Sequence, residues 1–359
     1  MIPLRLSAFA EADRPFVVRL GSPSGQRCGD AVLVEAEGNS ATYASKAGLF
    51  TIDGVAASGL AGDVLLIQPR EQRAERLIRA TSPHNTLLVT ERCDQLCVMC
   101  SQPPKKTHVD RFALFEEACM LAPENMLIGI TGGEPTLYRH QLFDLIERIY
   151  RTRPDLSFHV LTNAQHFEND DIDRMLGPAY ARVSWGIPLY ASQSALHDEI
   201  VGKRGAFSQL LENFAILMRA GARIELRTVL LRGNYPALPE LAHFVASRLR
   251  CIEAWSIMQL EHSGFARRRW ASLAVNPRLD FAPLREAMDW SFLHQMPVQL
   301  FNIPRCALPE DYRRFAVASI SDWKQKFLSA CDGCRERDLC CGFFEWHPDQ
   351  DECAKVTPL

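Results

Sequence analysis

Residues 1–85 alternate apolar and polar positions over short runs: FVVRL (16–20), AVLVEAEG (31–38), ATYAS (41–45), LFTIDG (49–54) and DVLLIQP (63–69). Gly, Pro, Ser and Asp separate them. Period-two alternation of this length marks strands with one buried face, so the segment predicts a small β-rich unit. From Thr86 the pattern changes to apolar strands alternating with helical stretches. NTLLVT leads, followed by a helix near 112–121, MLIGIT, a helix near 139–151, SFHVLTN, a short helix near 169–176 and RVSWGIPLY. A helix near 207–220, RIELRTVLL, a helix near 236–249, AWSIMQL, a helix near 281–294 and PVQLF complete the series.

Strand–helix alternation implies a parallel sheet. Residues 86–302 hold six or seven such units, fewer than the eight of a closed barrel, which predicts an α/β fold built on a partial, open (β/α)6 barrel. Residues 303–359 are loop-rich and poor in apolar side chains, so a metal staple is the physical means available to order them.

Composition narrows the partners. The 359 residues are 47% hydrophobic and 23% charged with a formal charge of −3, the balance of a globular chain with no electrostatic case for nucleic acid or a membrane surface. Arg267-Arg268-Arg269 reads as a solvated face. No run approaches the ~18 apolar residues of a membrane span, and the start lacks the order of a signal peptide. A cytoplasmic protein is the expectation.

Twelve cysteines are then out of place, since clustered thiols in a reducing compartment bind metal or do redox chemistry rather than form structural disulfides. Seven fall in two groups, TERCDQLCVMC (Cys93, Cys97, Cys100) and CDGCRERDLCC (Cys331, Cys334, Cys340, Cys341). Isolated Cys28, Cys119 and Cys251 read as small buried hydrophobes. A C-x3-C-x2-C loop can wrap three corners of an iron–sulfur cube and leave the fourth iron open. Structural zinc closes its shell with four ligands, and the first group has no local fourth.

These residues resemble the radical S-adenosylmethionine (SAM) superfamily. Cys93, Cys97 and Cys100 match its cysteine signature, and Thr131-Gly132-Gly133-Glu134-Pro135, after the next strand, looks like its GGEP motif. The resemblance implies a [4Fe–4S] cluster on the three thiolates, with SAM chelating the open iron. Gly132 and Gly133 would let backbone approach the ligand, and Glu134 would accept from its amino group. By the same resemblance Thr162 and Asn163 would lie near the SAM ribose or methionine, Arg227 would face its carboxylate or ribose, and Met99 would pack near adenine. Pro188, in IPLY, departs from the serine that many relatives carry there.

A narrower resemblance is to maturases of the His-Xaa-Ser peptide system, carried by Pro83-His84-Asn85, SQPPK after the cysteine loop, SISDWK (319–324) and CDGCRERDLCCGFF (331–344). It implies a radical SAM enzyme that modifies a ribosomally made precursor peptide, with flavodoxin or ferredoxin as electron donor and a second maturase of the system as partner. It also implies an auxiliary [4Fe–4S] centre on Cys306, Cys331, Cys334 and Cys340, with zinc as the alternative. Neighbouring residues seldom converge on one metal, so Cys340 is the expected ligand and Cys341 the extra thiol; Cys353 could replace either. A radical SAM enzyme for a small molecule and a cluster-bearing scaffold without catalysis are the competing readings. His84, His262 and His294 read as surface or core histidines; Glu261, His262 and Asp198 fall near strand ends and merit testing.

Overall fold

A computed structural model describes residues 2–21, 30–348 and 356–359; Cys28 and Cys353 lie outside them. Seven strands, β1 (Arg5–Ala10), β2 (Phe16–Leu20), β3 (Asp30–Glu37), β4 (Ser40–Ser45), β5 (Gly48–Asp53), β6 (Val64–Gln68) and β7 (Arg73–Ile78), form a closed barrel in the order β1-β5-β4-β3-β2-β6-β7. Alternate residues fill it: Ala8, Leu20, Phe50, Ile52, Leu65 and Ile67 have essentially no exposed surface. The expected strands are present, but β1 and β7, which the alternation did not announce, are the pair that closes the barrel, Leu6 opposite Ala74.

The second unit is a parallel seven-stranded sheet: β8 (Asn85–Thr90), β9 (Leu127–Gly132), β10 (Ser157–Leu161), β11 (Val183–Pro188), β12 (Arg223–Leu230), β13 (Ala254–Gln259) and β14 (Val298–Phe301), in chain order from edge to edge. All seven strands read from the sequence are present, one more than the (β/α)6 label counts; the last, four residues long, sits at the edge. Between them run α1 (Phe112–Leu121), α2 (Arg139–Thr152), α3 (Asp171–Met175), α4 (Ser194–Val201), α5 (Ala206–Arg219), α6 (Leu238–Arg248), α7 (Gly264–Leu273) and α8 (Ala282–Leu293). In α2, Leu142, Phe143, Leu145, Ile146 and Ile149 recur at helical spacing and are all buried, which docks one apolar stripe on the sheet. Helices α4 and α7 were not expected; α7 carries the Arg267–Arg269 run, and of its ten residues only Ala266 is buried.

β8 and β14 do not pair, so the sheet stays open along one side. The chain after β14 crosses toward that side through short turns and a two-stranded ribbon, β15 (Gln325–Lys326) with β16 (Phe343–Phe344). Arg79, just past the small barrel, grips Asp322 of this segment through two bonds of 2.8 and 2.7 Å. Asn85 accepts from Arg79 N and donates to the Arg79 and Ser82 carbonyls, which fixes the junction between barrel and sheet. No helix among the described residues is long and apolar enough to cross a membrane.

Candidate cluster and cofactor site

The loop after β8 carries Cys93, Cys97 and Cys100 at the carboxyl ends of the strands, where parallel α/β folds place their chemistry. Three structures clamp it. Leu96 N and Val98 N donate to the Val201 and Ile200 carbonyls at the end of α4. Phe265 N, at the start of α7, donates to the Cys100 carbonyl at 2.8 Å. Gly264 has φ +52°, and a Cβ there would lie 2.2 Å from the Cys100 oxygen, so only glycine allows this approach. The third clamp is the Gly132-Gly133 turn: Gly133 N and Glu134 N donate to the Thr90 and Arg92 carbonyls at 2.9 and 2.7 Å. A Cβ on Gly132 would meet Thr90 O, and one on Gly133 would meet Arg92 O, each at 2.1 Å. The close approach that the glycines permit is therefore to the root of the cysteine loop.

Glu134 differs from its expected role in the same way. Its carboxylate is fully buried and turned inward. Oε1 accepts from Thr136 N (2.8 Å), Thr136 Oγ1 (2.5 Å) and Thr162 Oγ1 (2.6 Å), and Oε2 accepts from Asn163 N (2.5 Å). Burial raises its pKa, opposed by these four donors. Thr162 and Asn163 likewise turn to protein: Asn163 Nδ2 donates to Asp94 in the cysteine loop. Glu134, Thr162 and Asn163 thus brace one another and the loop rather than presenting free polar atoms to a ligand.

Asp94 is a site residue the sequence did not single out. Besides Asn163 it meets Lys203 in an ion pair and lies 3.3 Å from His166. Burial alone would raise its pKa, but these neighbours hold it well below the usual carboxylate range. The three thiols show the opposite balance. Burial pushes Cys93 and Cys97 up to about 12 and raises Cys100, and charge repulsion among them adds to the shift at Cys93 and Cys97. Thiols held this way become thiolates only against a strong positive charge, which an iron cluster supplies. Among the described residues no three His, Cys, Asp or Glu side chains converge on a single metal ion.

Cys97, Met99 and Cys100 line a chamber of about 430 Å³ together with Tyr190 and Arg227. Met99 is buried there among Tyr190, Val201 and Leu260. Arg227 is half-buried and held by Glu225 at 2.8 and 3.0 Å. Glu225 also meets His159 Nε2 at 2.6 Å and accepts from Ser256, a network across β10, β12 and β13 that the sequence did not reveal. Gly186 leaves room for it, since a Cβ there would lie 2.9 Å from His159 Nε2 and 3.0 Å from Arg227 Cδ. Pro188 stands opposite Arg227 on the neighbouring strand.

The chamber opens into a cleft of about 740 Å³. Ser101, Leu161, Glu261 and Lys324 line both spaces. The cleft draws Arg76 from the small barrel and Arg79 from just past it, His84 and His262 from strand-end loops, and Trp323 and Trp346 from the last segment. Asp198 lies elsewhere, its carboxylate capping α5 through Gly205 N and Phe207 N. His294 packs on Trp290.

A second, small cavity of about 20 Å³ is lined by Cys306, Cys331, Cys334 and Cys340, the four residues expected to hold an auxiliary centre. Cys340 Sγ accepts from Arg305 N and Gly342 N, both at 3.5 Å. A hydrogen bond from the Cys341 thiol, with these backbone donors, lowers Cys340 to about 6 against its burial. Cys341 is buried in a separate apolar cluster with Ile320 and Phe344. Of the isolated cysteines, Cys119 is fully buried and Cys251 half-buried.

Comparison with known proteins agrees with this geometry. Residues 87–245, from β8 into α6, match the radical SAM superfamily. This stretch is a radical SAM domain. The AdoMet-dependent heme synthase of Oleidesulfovibrio alaskensis is 24% identical over 63% of the chain and 56% of its own length. The GTP 3',8-cyclase of Campylobacter curvus is 26% identical over 46% of the chain and 53% of its own length. The chain spans about half the length of these curated relatives. Streptococcus suis SuiB, solved bound to S-adenosylmethionine, superposes with a TM-score of 0.50 at 15% identity, covering 62% of this chain and 51% of SuiB, so the two share the fold of the radical SAM domain.

Proposed function

We propose that the protein is a radical SAM peptide maturase, similar to HxsC of the His-Xaa-Ser peptide system. In this reading Cys93, Cys97 and Cys100 hold a [4Fe–4S] cluster, and SAM occupies the chamber beside Met99 and Arg227. The bound cluster and SAM supply a 5′-deoxyadenosyl radical that abstracts hydrogen from substrate. The chain's own part is positional. The clamps from α4, α7 and the Gly132-Gly133 turn set the thiols, and the Glu134–Thr162–Asn163 brace locks the turn to the strand beside it. Arg227, aimed by Glu225, offers a cation for the SAM carboxylate. The Gly132-Gly133-Glu134 turn offers backbone, not the Glu134 carboxylate, to its amino group.

The observation that carries a peptide substrate is the cleft on the open side of the sheet. It is continuous with the chamber, bounded by the small barrel, the cysteine loop and the last segment, and long enough to draw lining from all three. An extended chain enters such a space sideways. An auxiliary [4Fe–4S] centre on Cys306, Cys331, Cys334 and Cys340 would order the segment that forms one wall; zinc is the other occupant that four thiolates suit.

Anaerobic reconstitution with iron, sulfide, reductant and SAM tests the chemistry, with 5′-deoxyadenosine as readout. Cys97→Ala should abolish its formation, and cleavage at the wild-type rate in that variant would refute the assignment. Co-expression with a precursor peptide bearing His-Xaa-Ser repeats, followed by tandem mass spectrometry, tests the substrate. An unmodified peptide beside active SAM cleavage would favour a small-molecule substrate.

A further inference from the structure

Two charged side chains, Glu261 and Lys324, stand at the throat where chamber meets cleft. Lys324 is rigidly mounted. Its N–H donates to Ser321 O at 3.0 Å, its carbonyl accepts from Glu345 N at 2.8 Å, and the two residues after it pair with Phe344 and Phe343 in the ribbon. Its ammonium lies 5.6 Å from the Trp323 ring and 5.1 Å from the Phe344 ring. It has no carboxylate partner among the described residues. The nearest acid in its own segment, Asp322, is occupied by Arg79 and by Trp323 N. Glu261 also lacks a side-chain partner among the described residues and is out of ion-pair reach of Lys324. Elsewhere, Lys105 pairs with Glu91, Lys203 pairs with Asp94, and Lys326 donates to the His347 carbonyl.

Aromatic faces attract an ammonium without neutralising it, and they leave its remaining N–H donors pointed into open space. A half-buried, pre-aimed cation of this kind lacks only an anion. We propose that Lys324 is a recognition residue for a carboxylate on the substrate, an Asp or Glu side chain or a C-terminus near the reacting position. The inference rests on the reading of the cleft as the substrate's entrance. Glu261, also at the throat, repels the same carboxylate, which gives the throat a polarity and the entering chain an orientation. The methionine carboxylate of SAM is the other source of this chemistry. Lys324 is shared with the cleft, whereas Met99 and Arg227 line the chamber alone, and this favours the substrate.

The chain has seven lysines, few enough for each to be followed by NMR after reductive 13C-methylation of the full-length protein. Lys324→Gln assigns the Lys324 signal, and Lys105→Gln, at a surface ion pair, controls for loss of a lysine. The probes are the blocked peptides Ac-Ala-Glu-Ala-NH2 and Ac-Ala-Gln-Ala-NH2, and SAM by itself. The expected result is a Lys324 shift that saturates with the Glu peptide and is about tenfold weaker with the Gln peptide, the worth of one charge-assisted contact. It should persist with SAM present. Equal responses to the two peptides, no response, or a shift produced by SAM that the Glu peptide cannot extend would each overturn the proposal. Because the readout is binding, a protein that fails to make 5′-deoxyadenosine would refute the enzyme reading and leave this result standing.

Discussion

Asn163 Nδ2 donates to Asp94 Oδ1 at 2.8 Å, so a residue just past the third strand of the parallel sheet holds the first turn of the cysteine loop. Asp94 gathers Lys203 and His166 as well, and its folded pKa lies below the usual value because these contacts outweigh burial. A depressed carboxylate pKa stabilises the fold above the unfolded value of about 4, and the benefit is lost as pH falls below it. Asp94→Ala should therefore cost roughly 1–3 kcal/mol at pH 7, and the gap to wild type should narrow below about pH 4. Urea denaturation at both pH values checks this. A gap that widens toward low pH would contradict the role given to Asp94.

Glu134→Gln tests the brace. The substitution keeps the shape, but places an amide N–H against either the Asn163 N–H or the Thr136 N–H, backbone donors that cannot accept. Leaving a buried donor unpaired costs about 1–3 kcal/mol. Thermal stability and iron retention should fall together, because the brace supports the turn that packs against Thr90 and Arg92 at the root of the cysteine loop. Wild-type stability combined with a selective loss of SAM affinity would instead mean that the carboxylate meets the ligand directly.

What the sequence disclosed and what it hid follow one distinction. Cys93, Cys97 and Cys100 were legible because their spacing is local, and one loop delivers all three. Glu134 was recognisable as a motif residue but not in its role, because its partners Thr162 and Asn163 lie just past another strand and only folding reveals that they donate to it. The strand Arg73–Ile78 was hidden by a buried charge. Its inward positions are Ala74, Arg76 and Ile78, and Arg76, paired with Asp63, interrupts the apolar alternation that marks a strand. The helix Gly264–Leu273 was read as a charged face for a related reason: it buries one residue and owes its place to the close contact of Gly264 with Cys100.

The adjacent thiols of the last segment touch, yet they face different surroundings. Cys340 lines the cavity with Cys306, Cys331 and Cys334, while Cys341 packs with Ile320 and Phe344. In protein reconstituted anaerobically, Cys340→Ala should lose the iron and sulfide of one cluster, and Cys341→Ala should retain both clusters with a modest loss of stability. Equal metal loss in the two variants would show that either thiol can serve. Zinc in place of the second iron complement would identify the occupant.

The network behind Arg227 gives a kinetic prediction. Burial would raise the Glu225 pKa, but His159, Arg227 and Ser256 outweigh it and hold it at about 2, so Glu225 is a carboxylate across the working pH range. One guanidinium nitrogen of Arg227 is fixed on that carboxylate, and the other lies 3.7 Å from Met258 Sδ, facing the chamber side. If Arg227 contributes binding to SAM in its ground and transition states alike, removing it should raise KM for SAM and leave kcat for 5′-deoxyadenosine nearly unchanged. Glu225→Gln keeps the cation but loosens its aim, so its KM should rise by less, roughly threefold against tenfold or more for Arg227→Gln. A double variant no worse than Arg227→Gln alone would show that Glu225 acts through Arg227. Independent, additive losses would place Glu225 in contact with the ligand itself, and an unchanged KM in Arg227→Gln would remove Arg227 from the SAM site.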